Sequence, residues 1–160
     1  MSNRVGFGYD IHKIDYEANG DRALVLGGIV FEDFAPVIAN SDGDVVIHAI
    51  IDAILGASCM GDIGEWFAED SNDFKGIDSS ILLKRVVDEV NVNNFKIENI
   101  DVTVVAQEPK LKDRKSEMKN NLSEIVKADV NIKATSPERV GSLGNKEAIA
   151  CFALANLLKP

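Results

Sequence analysis

The chain has 160 residues, of which 46% are hydrophobic and 27% charged, as is usual for a globular protein with one substantial core. Its formal net charge of −9 argues against a nucleic-acid backbone as a partner, although a local positive site can still hold a small phosphorylated ligand. No stretch resembles a membrane span or a secretory signal. We therefore expect a single cytoplasmic domain over residues 1–160, with neither nucleic acid nor membrane as a partner.

The first half of the chain predicts two strands and a helix. Arg4–Tyr9 and Ala23–Val30 are rich in strand-forming residues, and Gly20-Asp21 supplies turn chemistry between them, so we expect a hairpin connection. Residues 41–44 open a helix that continues to about Ala57, because serine and aspartate side chains cap the first amides of a helix.

The second half predicts three more helices and two more strands. Apolar residues recur at helical spacing after Asp78-Ser79-Ser80, and Pro109 can start a later helix. The predicted elements are a helix at Ile81–Asn91, a strand at Ile100–Ala106, a helix at Lys110–Ala128, a strand at Asn131–Ala134 and a helix at Asn145–Leu158. This pattern indicates an α+β two-layer sandwich, in which helices cover one face of a mixed four-stranded sheet. Self-association is an economical way to cover the other face.

The two cysteines, Cys59 and Cys151, lie in apolar, helix-like stretches far apart in the chain. Cysteine is a small hydrophobic residue that is common in protein cores, and the spacing is not that of a zinc finger. We expect both to be buried free thiols in a reducing compartment.

A short acidic and histidine pair stands near the N-terminus. Asp10 and His12 are two residues apart, so a continuous strand would direct both side chains to one face, roughly 7 Å apart at their Cα atoms. Such a pair can offer one oxygen and one nitrogen to a metal ion. The pattern is weak by itself, because it also arises by chance.

The second of the two histidines, His48, lies in a helix that is apolar almost all round. A buried ionisable group is costly unless it is paired or bound to a metal. His48 can be a core histidine hydrogen-bonded to Asp52, four residues away on the same helix face. With Asp10 and His12 available, a metal site is the better interpretation, and Asp52 would then orient His48. Three ligands leave a tetrahedral zinc one open position, which is the pattern of catalytic sites.

Three other segments each have a functional and a structural interpretation. The amides after Ser41 can cradle a phosphate, or they can simply be capped. Gly61–Gly64 can bring the backbone close to a ligand, or it can end a helix in a turn. Residues 133–138 place hydroxyls and a carboxylate after a strand, where substrate-binding residues gather, or they form the turn before the last helix.

Taken together and in order, these motifs resemble the 2-C-methyl-D-erythritol 2,4-cyclodiphosphate synthase family of the non-mevalonate isoprenoid pathway. The resemblance runs from about Arg4 to Leu158 and is specific as an ordered set. The motifs are Tyr9-Asp10-Ile11-His12, Leu26-Gly27-Gly28, Ser41-Asp42-Gly43-Asp44-Val45, His48-Ala49, Asp52-Ala53, Leu55-Gly56-Ala57, Gly61-Asp62-Ile63-Gly64 and Lys133-Ala134-Thr135.

The resemblance implies a homotrimer, with sheets packed about the trimer axis and active sites between subunits. It implies conversion of 4-diphosphocytidyl-2-C-methyl-D-erythritol 2-phosphate to the 2,4-cyclodiphosphate and CMP, a lyase reaction in which the 2-phosphate attacks the β-phosphorus. By motif position, Asp10, His12 and His48 would bind a catalytic Zn²⁺, and Glu138 would bind a second ion, Mg²⁺ or Mn²⁺. The metals and an intramolecular nucleophile suit phosphoryl transfer, which relies on positioning and charge neutralisation.

The remaining site residues also follow from the resemblance. Asn40 and Ser136 stand at catalytic positions. The substrate-binding positions around the methylerythritol part are Asp62, Ile63, Gly64, Phe67, Glu69 and Ser71. Those around the cytidine diphosphate are Ala106, Lys110, Leu111, Ala134, Thr135 and Ser136. The resemblance also makes Asp10, His12, Asn40, Ser41 and Glu138 substrate-binding residues.

The sequence departs from the family pattern at four places. Asn40 replaces a histidine that is thought to stabilise the transition state, so it supplies a donor without a positive charge. Ser136 replaces a threonine and keeps the hydroxyl. Asn145 replaces an arginine of the trimer's central cavity, which weakens the case for an isoprenoid phosphate there, and residues 67–71 differ from the usual Phe-Pro-Asp-Thr-Asp.

Two other functions fit the same residues. A metal-dependent phosphohydrolase would use the open position on zinc to activate water and would not need a cytidine pocket. A non-enzymatic, zinc-stabilised oligomer would unfold when the metal is chelated.

Overall fold

The computed structural model describes residues 2–20, 22–68 and 70–160, and within these ranges the chain forms a sheet layer and a helix layer. The elements are β1 (Ser2–Lys13), β2 (Leu24–Leu26), β3 (Ile29–Phe31), α1 (Val45–Ser58), α2 (Ile63–Trp66), a 3₁₀ turn (Asn72–Phe74), α3 (Ser79–Val92), β4 (Lys96–Val105), α4 (Lys115–Val126), β5 (Asp129–Thr135), α5 (Gly141–Gly144) and β6 (Ala148–Lys159). The main sheet has the order β1-β6-β4-β5, in which β4 and β5 are parallel and the other pairs antiparallel. This confirms the predicted two-layer α+β fold with a mixed four-stranded sheet.

Helix α1 lies directly against β1 and β6 and is covered by α3, which explains why its sequence is apolar almost all round. Two glycines of β1 make this close packing feasible. A Cβ atom added at Gly6 would lie 1.9 Å from the carbonyl oxygen of Ala53, and one at Gly8 would lie 1.9 Å from that of Ala49. The sheet and α1 therefore approach each other to backbone contact just before Asp10.

The opposite face of the sheet carries a row of exposed apolar side chains. They alternate along β1 at Val5, Phe7, Tyr9 and Ile11, and they continue on β6 at Phe152 and Leu154. The ring centroids of Tyr9 and Phe152 are 5.0 Å apart. A contiguous apolar surface of this kind is typical of an interface between proteins.

The predicted C-terminal helix at Asn145–Leu158 is wrong, because residues 148–159 form strand β6 between β1 and β4. Alanine and leucine favour helices, and the alternation that marks a strand is obscured here because both faces of β6 are apolar. Ala153 and Ala155 face the buried layer, while Phe152 and Leu154 lie on the open face. Small buried residues at these positions let α1 pack closely on the strand.

Two other predicted elements change in detail. The stretch Ala23–Val30 is not a partner of β1; it contributes β2 and β3, which form their own hairpin around Gly27 and Gly28. Both glycines have positive φ, 61° and 76°, as a tight two-residue hairpin turn requires. Helix α4 begins at Lys115 rather than Lys110, because the amides of Arg114 and Lys115 both donate to the carbonyl oxygen of Leu111 in a preceding turn.

The prediction that both cysteines are buried holds only for Cys151. Cys59 is exposed because α1 ends there, with Cys59 in a left-handed conformation (φ 57°) and its Sγ accepting a hydrogen bond from Arg4 at 2.8 Å. None of the helices in the described ranges combines the length and the apolar character needed to cross a lipid bilayer.

Candidate active site

Three metal-ligating side chains from two layers of the fold converge on one point. Asp10 and His12 project from the helix-facing side of β1, and His48 lies one turn inside α1. Asp10 Oδ2 is 2.9 Å from His12 Nε2 and 3.2 Å from His48 Nδ1, and the two nitrogens are 3.1 Å apart. Tetrahedral zinc with bonds of about 2.0–2.2 Å holds its ligand atoms about 3.3–3.6 Å apart. The three atoms are therefore arranged as ligands of one ion, and they are a group that can hold a metal.

The electrostatics of this group favour positive charge at the point of convergence. Burial alone raises the pKa of Asp10, but hydrogen bonds and charge interactions with His12 and His48 outweigh burial and hold that pKa well below its usual range. Burial alone lowers the pKa of His48, but the hydrogen bond and charge of Asp10, together with the charges of Asp44 and Asp42, raise it above its ordinary value. A metal cation would supply the same positive charge.

The predicted role of Asp52 is wrong. The Nε2 atom of His48 lies 2.9 Å from Ser79 Oγ and 3.2 Å from Ser41 Oγ, and its Nδ1 faces Asp10, so both ring nitrogens have partners other than Asp52. Asp52 instead accepts a hydrogen bond from the backbone amide of Ile63 at 3.2 Å. Its carboxylate therefore fixes the start of α2 and does not orient His48.

The start of α1 is closed by its own capping residue. The carboxylate of Asp44 accepts hydrogen bonds from the amides of Val46 and Ile47 in α1, each at 3.1 Å. It also accepts from Gly27 at 2.9 Å and Gly28 at 2.6 Å, which ties the β2–β3 turn to the helix. The amides after Ser41 are thus capped, and the structural interpretation of this segment is correct.

We expect the stability that Asp44 contributes to fall as the pH rises. Burial is the largest influence on this fully buried carboxyl and raises its pKa from 3.8 to about 6, against the hydrogen bonds from Gly28, Ile47 and Gly27. A group whose pKa is raised on folding gives its full contribution below pH 3.8 and loses it as the pH rises through about 6. The non-titrating variant Asp44→Asn is the reference.

Urea unfolding of both proteins at pH 5.0 and 7.5, with a zinc chelator present, measures this effect. The unfolding free energy of the wild type relative to Asp44→Asn should fall by about 1 kcal/mol between the two pH values. If the stability of the wild type relative to Asp44→Asn rises over this pH interval, the hydrogen bonds from the four amides, and not burial, dominate the pKa of Asp44.

A cavity of about 360 Å³ opens beside the three ligands. Its polar side is formed by Asp10, His12, Asn40, Ser41 and His48, and the rest is largely apolar. The remaining lining residues are Ile38, Ala39, Ile63, Gly64, Phe67, Phe74 and Leu82. The cavity thus has a group that can hold a metal and hydrogen-bonding groups on one side, and a hydrophobic wall on the other.

Hydrogen bonds connect the segments that line this cavity to other residues predicted to bind substrate. Asn40 donates from Nδ2 to the carbonyl oxygen of Ser71 at 3.2 Å, which links the Asn40 segment to the loop between Phe67 and Phe74. Asp62 caps α2 through the amide of Glu65 at 2.9 Å. Glu69, also predicted to bind substrate, lies outside the described residues.

A second cavity, of about 180 Å³, gathers the predicted cytidine-diphosphate residues. All of Ala106, Lys110, Leu111, Ala134, Thr135 and Ser136 line it. Lys112 and Lys115 also line it, so three lysines surround one small cavity in a chain whose net charge is −9. This local charge suits an anionic ligand.

The two cavities lie at the same end of the sheet but over different strands. Asp10 on β1 pairs with Cys151, which pairs with Val104 on β4, which in turn pairs with Ala134 on β5. Three strand spacings amount to about 14 Å. Glu138 is exposed just after β5 and is not part of the metal-ligating group in the described residues.

The sequence pattern missed Ser79 and Asp42 as neighbours of His48. Ser79 is fully buried at the start of α3, and its Oγ donates to Asp42 Oδ1. From the sequence, both residues are interpreted as ordinary parts of helix starts. No local spacing links them, since 37 residues separate the two positions. Only the packing of α3 against α1 reveals the contact.

Comparisons with known proteins identify the family. A model of the YgbB family matches residues 3–158. The chain belongs to the YgbB family. Among curated proteins, this YgbB-family chain is 42% identical over 159 residues to the 2-C-methyl-D-erythritol 2,4-cyclodiphosphate synthase of Proteus mirabilis, covering 98% of this chain and 97% of that one.

Solved structures agree with the sequence match. The Plasmodium falciparum IspF in complex with CDP superimposes with a TM-score of 0.84 at 34% identity, over 99% of this chain and 97% of that one. The bifunctional IspDF of Campylobacter jejuni gives a TM-score of 0.91 at 38% identity over 98% of this chain, which spans 42% of the Campylobacter chain. The resemblance seen in the sequence is thus confirmed for both family and fold.

Proposed function

We propose that this YgbB-family protein is a 2-C-methyl-D-erythritol 2,4-cyclodiphosphate synthase. It converts 4-diphosphocytidyl-2-C-methyl-D-erythritol 2-phosphate to the cyclic diphosphate and CMP, as a phosphorus–oxygen lyase of isoprenoid precursor biosynthesis. The observation that carries this proposal is the convergence of Asp10, His12 and His48 at the polar side of a cavity whose other side is apolar. The similarity to synthases along nearly the whole chain supports it.

The two cavities suit different parts of the substrate, the first the methylerythritol part and the second the cytidine diphosphate. The apolar wall of the first cavity, which includes Ile38, Phe67 and Leu82, suits the methyl-bearing carbon chain, and the backbone at Gly64 allows close approach. The lysine-lined second cavity suits the cytidine diphosphate, because its cationic side chains can pair with phosphate oxygens. A solved relative, the Plasmodium falciparum IspF, was determined as a CDP complex, which supports this assignment.

The donor set at the first cavity fits zinc. Two imidazole nitrogens and one carboxylate oxygen, with a fourth position open, are the ligand pattern of catalytic zinc sites. When bound, Zn²⁺ would neutralise and polarise the β-phosphate of the substrate. Glu138 is the proposed ligand of the second ion, Mg²⁺ or Mn²⁺, which would neutralise charge on the diphosphate.

The protein's own residues hold the reacting groups in line. An oxygen of the substrate's 2-phosphate forms a bond to the β-phosphorus, the bond from that phosphorus to the bridging oxygen breaks, and CMP leaves with the electron pair. No general base is required because the attacking phosphate is already anionic. The amide of Asn40 and the hydroxyls of Ser41 and Ser136 are the groups that would bind phosphate oxygens during the transfer.

Two features support a homotrimer with active sites between subunits. The apolar face of β1 and β6 needs a partner, and identical faces can cover one another around a symmetry axis. Within one chain the metal ligands and the cytidine cavity are separated by three strands, about 14 Å at the spacing of a sheet. In the trimer, the second cavity of one copy would lie next to Asp10, His12 and His48 of the neighbouring copy.

The test is incubation of the purified protein with the diphosphocytidyl substrate and Mg²⁺, with and without a zinc chelator, followed by phosphorus NMR. We expect the cyclic diphosphate and CMP to form and to cease forming on chelation. Linear hydrolysis products in place of the ring would overturn the proposal in favour of a phosphohydrolase. Unfolding of the protein on chelation would favour a zinc-stabilised structural module.

We expect Asn40→His to raise kcat by roughly threefold to tenfold. A protonated imidazole adds positive charge next to the transferring phosphate, where charge stabilisation lowers the barrier. The substitution also removes the hydrogen bond from Asn40 to Ser71, which limits the gain. The measurement is steady-state release of CMP, with Asn40→Ala as the control that has neither the hydrogen-bond donor nor the positive charge. A kcat for Asn40→His at or below the wild-type value would show that holding the Ser71 loop matters more than the added charge.

A further inference from the structure

The imidazole of His48 is held between two sets of partners. Its Nδ1 edge faces Asp10 Oδ2 at 3.2 Å and His12 Nε2 at 3.1 Å, where the metal ligands converge. Its Nε2 edge faces Ser79 Oγ at 2.9 Å. A neutral imidazole carries one proton and can present a lone pair on only one edge. The tautomer therefore decides whether His48 can bind a metal through Nδ1.

The hydroxyl group of Ser79 donates its proton to Asp42 and not to His48. Ser79 Oγ is 2.5 Å from Oδ1 of Asp42, and a carboxylate can only accept a hydrogen bond, so the single hydroxyl proton lies between these two oxygens. Ser79 Oγ can then only accept from His48, which puts the imidazole proton on Nε2. The lone pair of the neutral His48 ring is then left on Nδ1, where it can accept from His12 Nε2 at 3.1 Å. The same His12 nitrogen lies 2.9 Å from Asp10 Oδ2, so it can also serve as a donor to the Asp10 carboxylate.

We infer that Asp42 and Ser79 are positioning residues that fix His48 in the tautomer able to bind a metal through Nδ1. The inference deepens the proposed function and rests on its metal site. A serine alone can donate or accept and would leave both tautomers accessible, but the carboxylate behind it removes that choice. This arrangement corresponds to the carboxylate groups that orient metal-binding histidines in other proteins, with a serine hydroxyl inserted between the two.

The Asp42 carboxylate is itself fixed by the backbone. Its Oδ1 accepts from the amide of Asp44 at 3.1 Å and its Oδ2 from the amide of Ser79 at 3.0 Å. The amide of Asp42 donates to the carbonyl oxygen of Ile77 at 3.0 Å. These bonds join the segment before α1 to the start of α3, and Ser79 is fully buried, so water does not compete for its hydroxyl.

Ser41 is compatible with the same tautomer. Its Oγ lies 3.2 Å from His48 Nε2 and accepts a hydrogen bond from the amide of Gly43 at 3.1 Å. It therefore serves as a second, longer acceptor for the proton on Nε2. Both partners at this edge of the ring can act as acceptors. The opposite edge, by contrast, can also offer a donor to the lone pair, because His12 Nε2 lies 3.1 Å from His48 Nδ1.

The experiment compares Ser79→Ala with Ser80→Ala, the same substitution at the neighbouring residue of α3. Zinc affinity is measured by competition with a chromophoric chelator, and the ring tautomer by long-range proton–nitrogen NMR at pH 8.5 in zinc-free protein. Because the chain has only two histidines, the ring signals of His48 are readily assigned. We expect Ser79→Ala to bind zinc about 10- to 100-fold more weakly and to lose the single Nε2–H form, with Ser80→Ala unchanged.

A third variant, Ser79→Thr, separates positioning from packing because it keeps the hydroxyl. Wild-type zinc affinity and tautomer in Ser79→Thr would support the inference even if Ser79→Ala fails to fold. Zinc loss in Ser79→Thr with an unchanged tautomer, or wild-type zinc affinity in Ser79→Ala, would overturn it while leaving the metal site intact. If the wild type itself binds no zinc, the proposed metal site fails, and this inference fails with it.

Discussion

Replacing His48 with alanine should remove the proposed zinc and lower kcat by roughly 10³-fold or more, while leaving a folded protein in the proposed trimer. The imidazole is one of three converging ligands, and without it the remaining oxygen and nitrogen cannot hold the ion in place. Loss of the metal removes several kcal/mol of charge stabilisation from the transition state, and each 1.4 kcal/mol is about tenfold in rate.

The fold should survive because His48→Ala leaves no buried group without a partner. Ser79 still donates to Asp42, and Ser41 still accepts from Gly43. We expect the unfolding free energy of the zinc-free protein to fall by only about 1–3 kcal/mol. Bound zinc is measured by metal analysis, activity by phosphorus NMR and assembly by sedimentation. A metal-free His48→Ala protein that still forms the cyclic diphosphate would rule out the proposed role of the metal.

Asp52→Asn is the matched control on the same helix. Asp52 contacts the amide of Ile63, and asparagine keeps an oxygen that can accept this hydrogen bond. We expect this variant to bind zinc with wild-type affinity, since the carboxylate does not contact His48. A loss of zinc comparable with that of His48→Ala would restore the orienting role suggested by the sequence.

Replacing Gly8 with alanine should lower the unfolding free energy by at least about 3 kcal/mol. The added Cβ atom would lie 1.9 Å from the carbonyl oxygen of Ala49 and 2.8 Å from the amide nitrogen of Ala53, both in the backbone of α1. Backbone atoms of a packed helix cannot move aside as a side chain can, so β1 and α1 must separate. That separation also moves Asp10 away from His48, so zinc affinity should fall together with stability.

Gly56→Ala provides the control for the Gly8 prediction. Gly56 lies on α1 opposite Gly6, and its added Cβ atom would meet only the Cα atom of Gly6, at an ordinary 3.9 Å. Alanine favours helix over glycine by about 0.5–1 kcal/mol, so this variant should be slightly more stable than the wild type. Urea unfolding of both variants measures the contrast. Equal stabilities would show that β1 and α1 do not pack as closely as the structure indicates.

The sequence predicts the parts of this protein in which local pattern and tertiary environment agree. The start of α1 is one example, because residues 41–44 are the expected capping segment and Asp44 within it is the observed capping residue. The group that can hold a metal is another, because Asp10, His12 and His48 are the candidates in the sequence and their ligand atoms converge in the structure.

The sequence fails where the environment reverses a local preference. The sequence of β6 predicts a helix because both the open face and the buried face of the strand carry apolar residues. The alternation of polar and apolar residues that marks a strand is therefore missing. Asp52 has the helical spacing that would let it contact His48, but its carboxylate instead accepts a hydrogen bond from the amide of Ile63 on α2. The contact of Ser79 with His48 joins elements 31 residues apart, and no short-range pattern encodes it.

The pairing of β1 with β6 has a consequence for how the chain folds during synthesis. Ser2 pairs with Lys159 and Lys13 with Ala148, so β1 pairs with the last of the described strands, which is synthesised much later than β1. Because β6 lies between β1 and β4, β1 has no neighbouring strand in the main sheet until β6 has been made. Contacts of such long sequence separation are slow to form and leave strand edges exposed in the meantime. Truncation within residues 148–159 should therefore produce an aggregating chain, even though α1, with its histidine, is already complete.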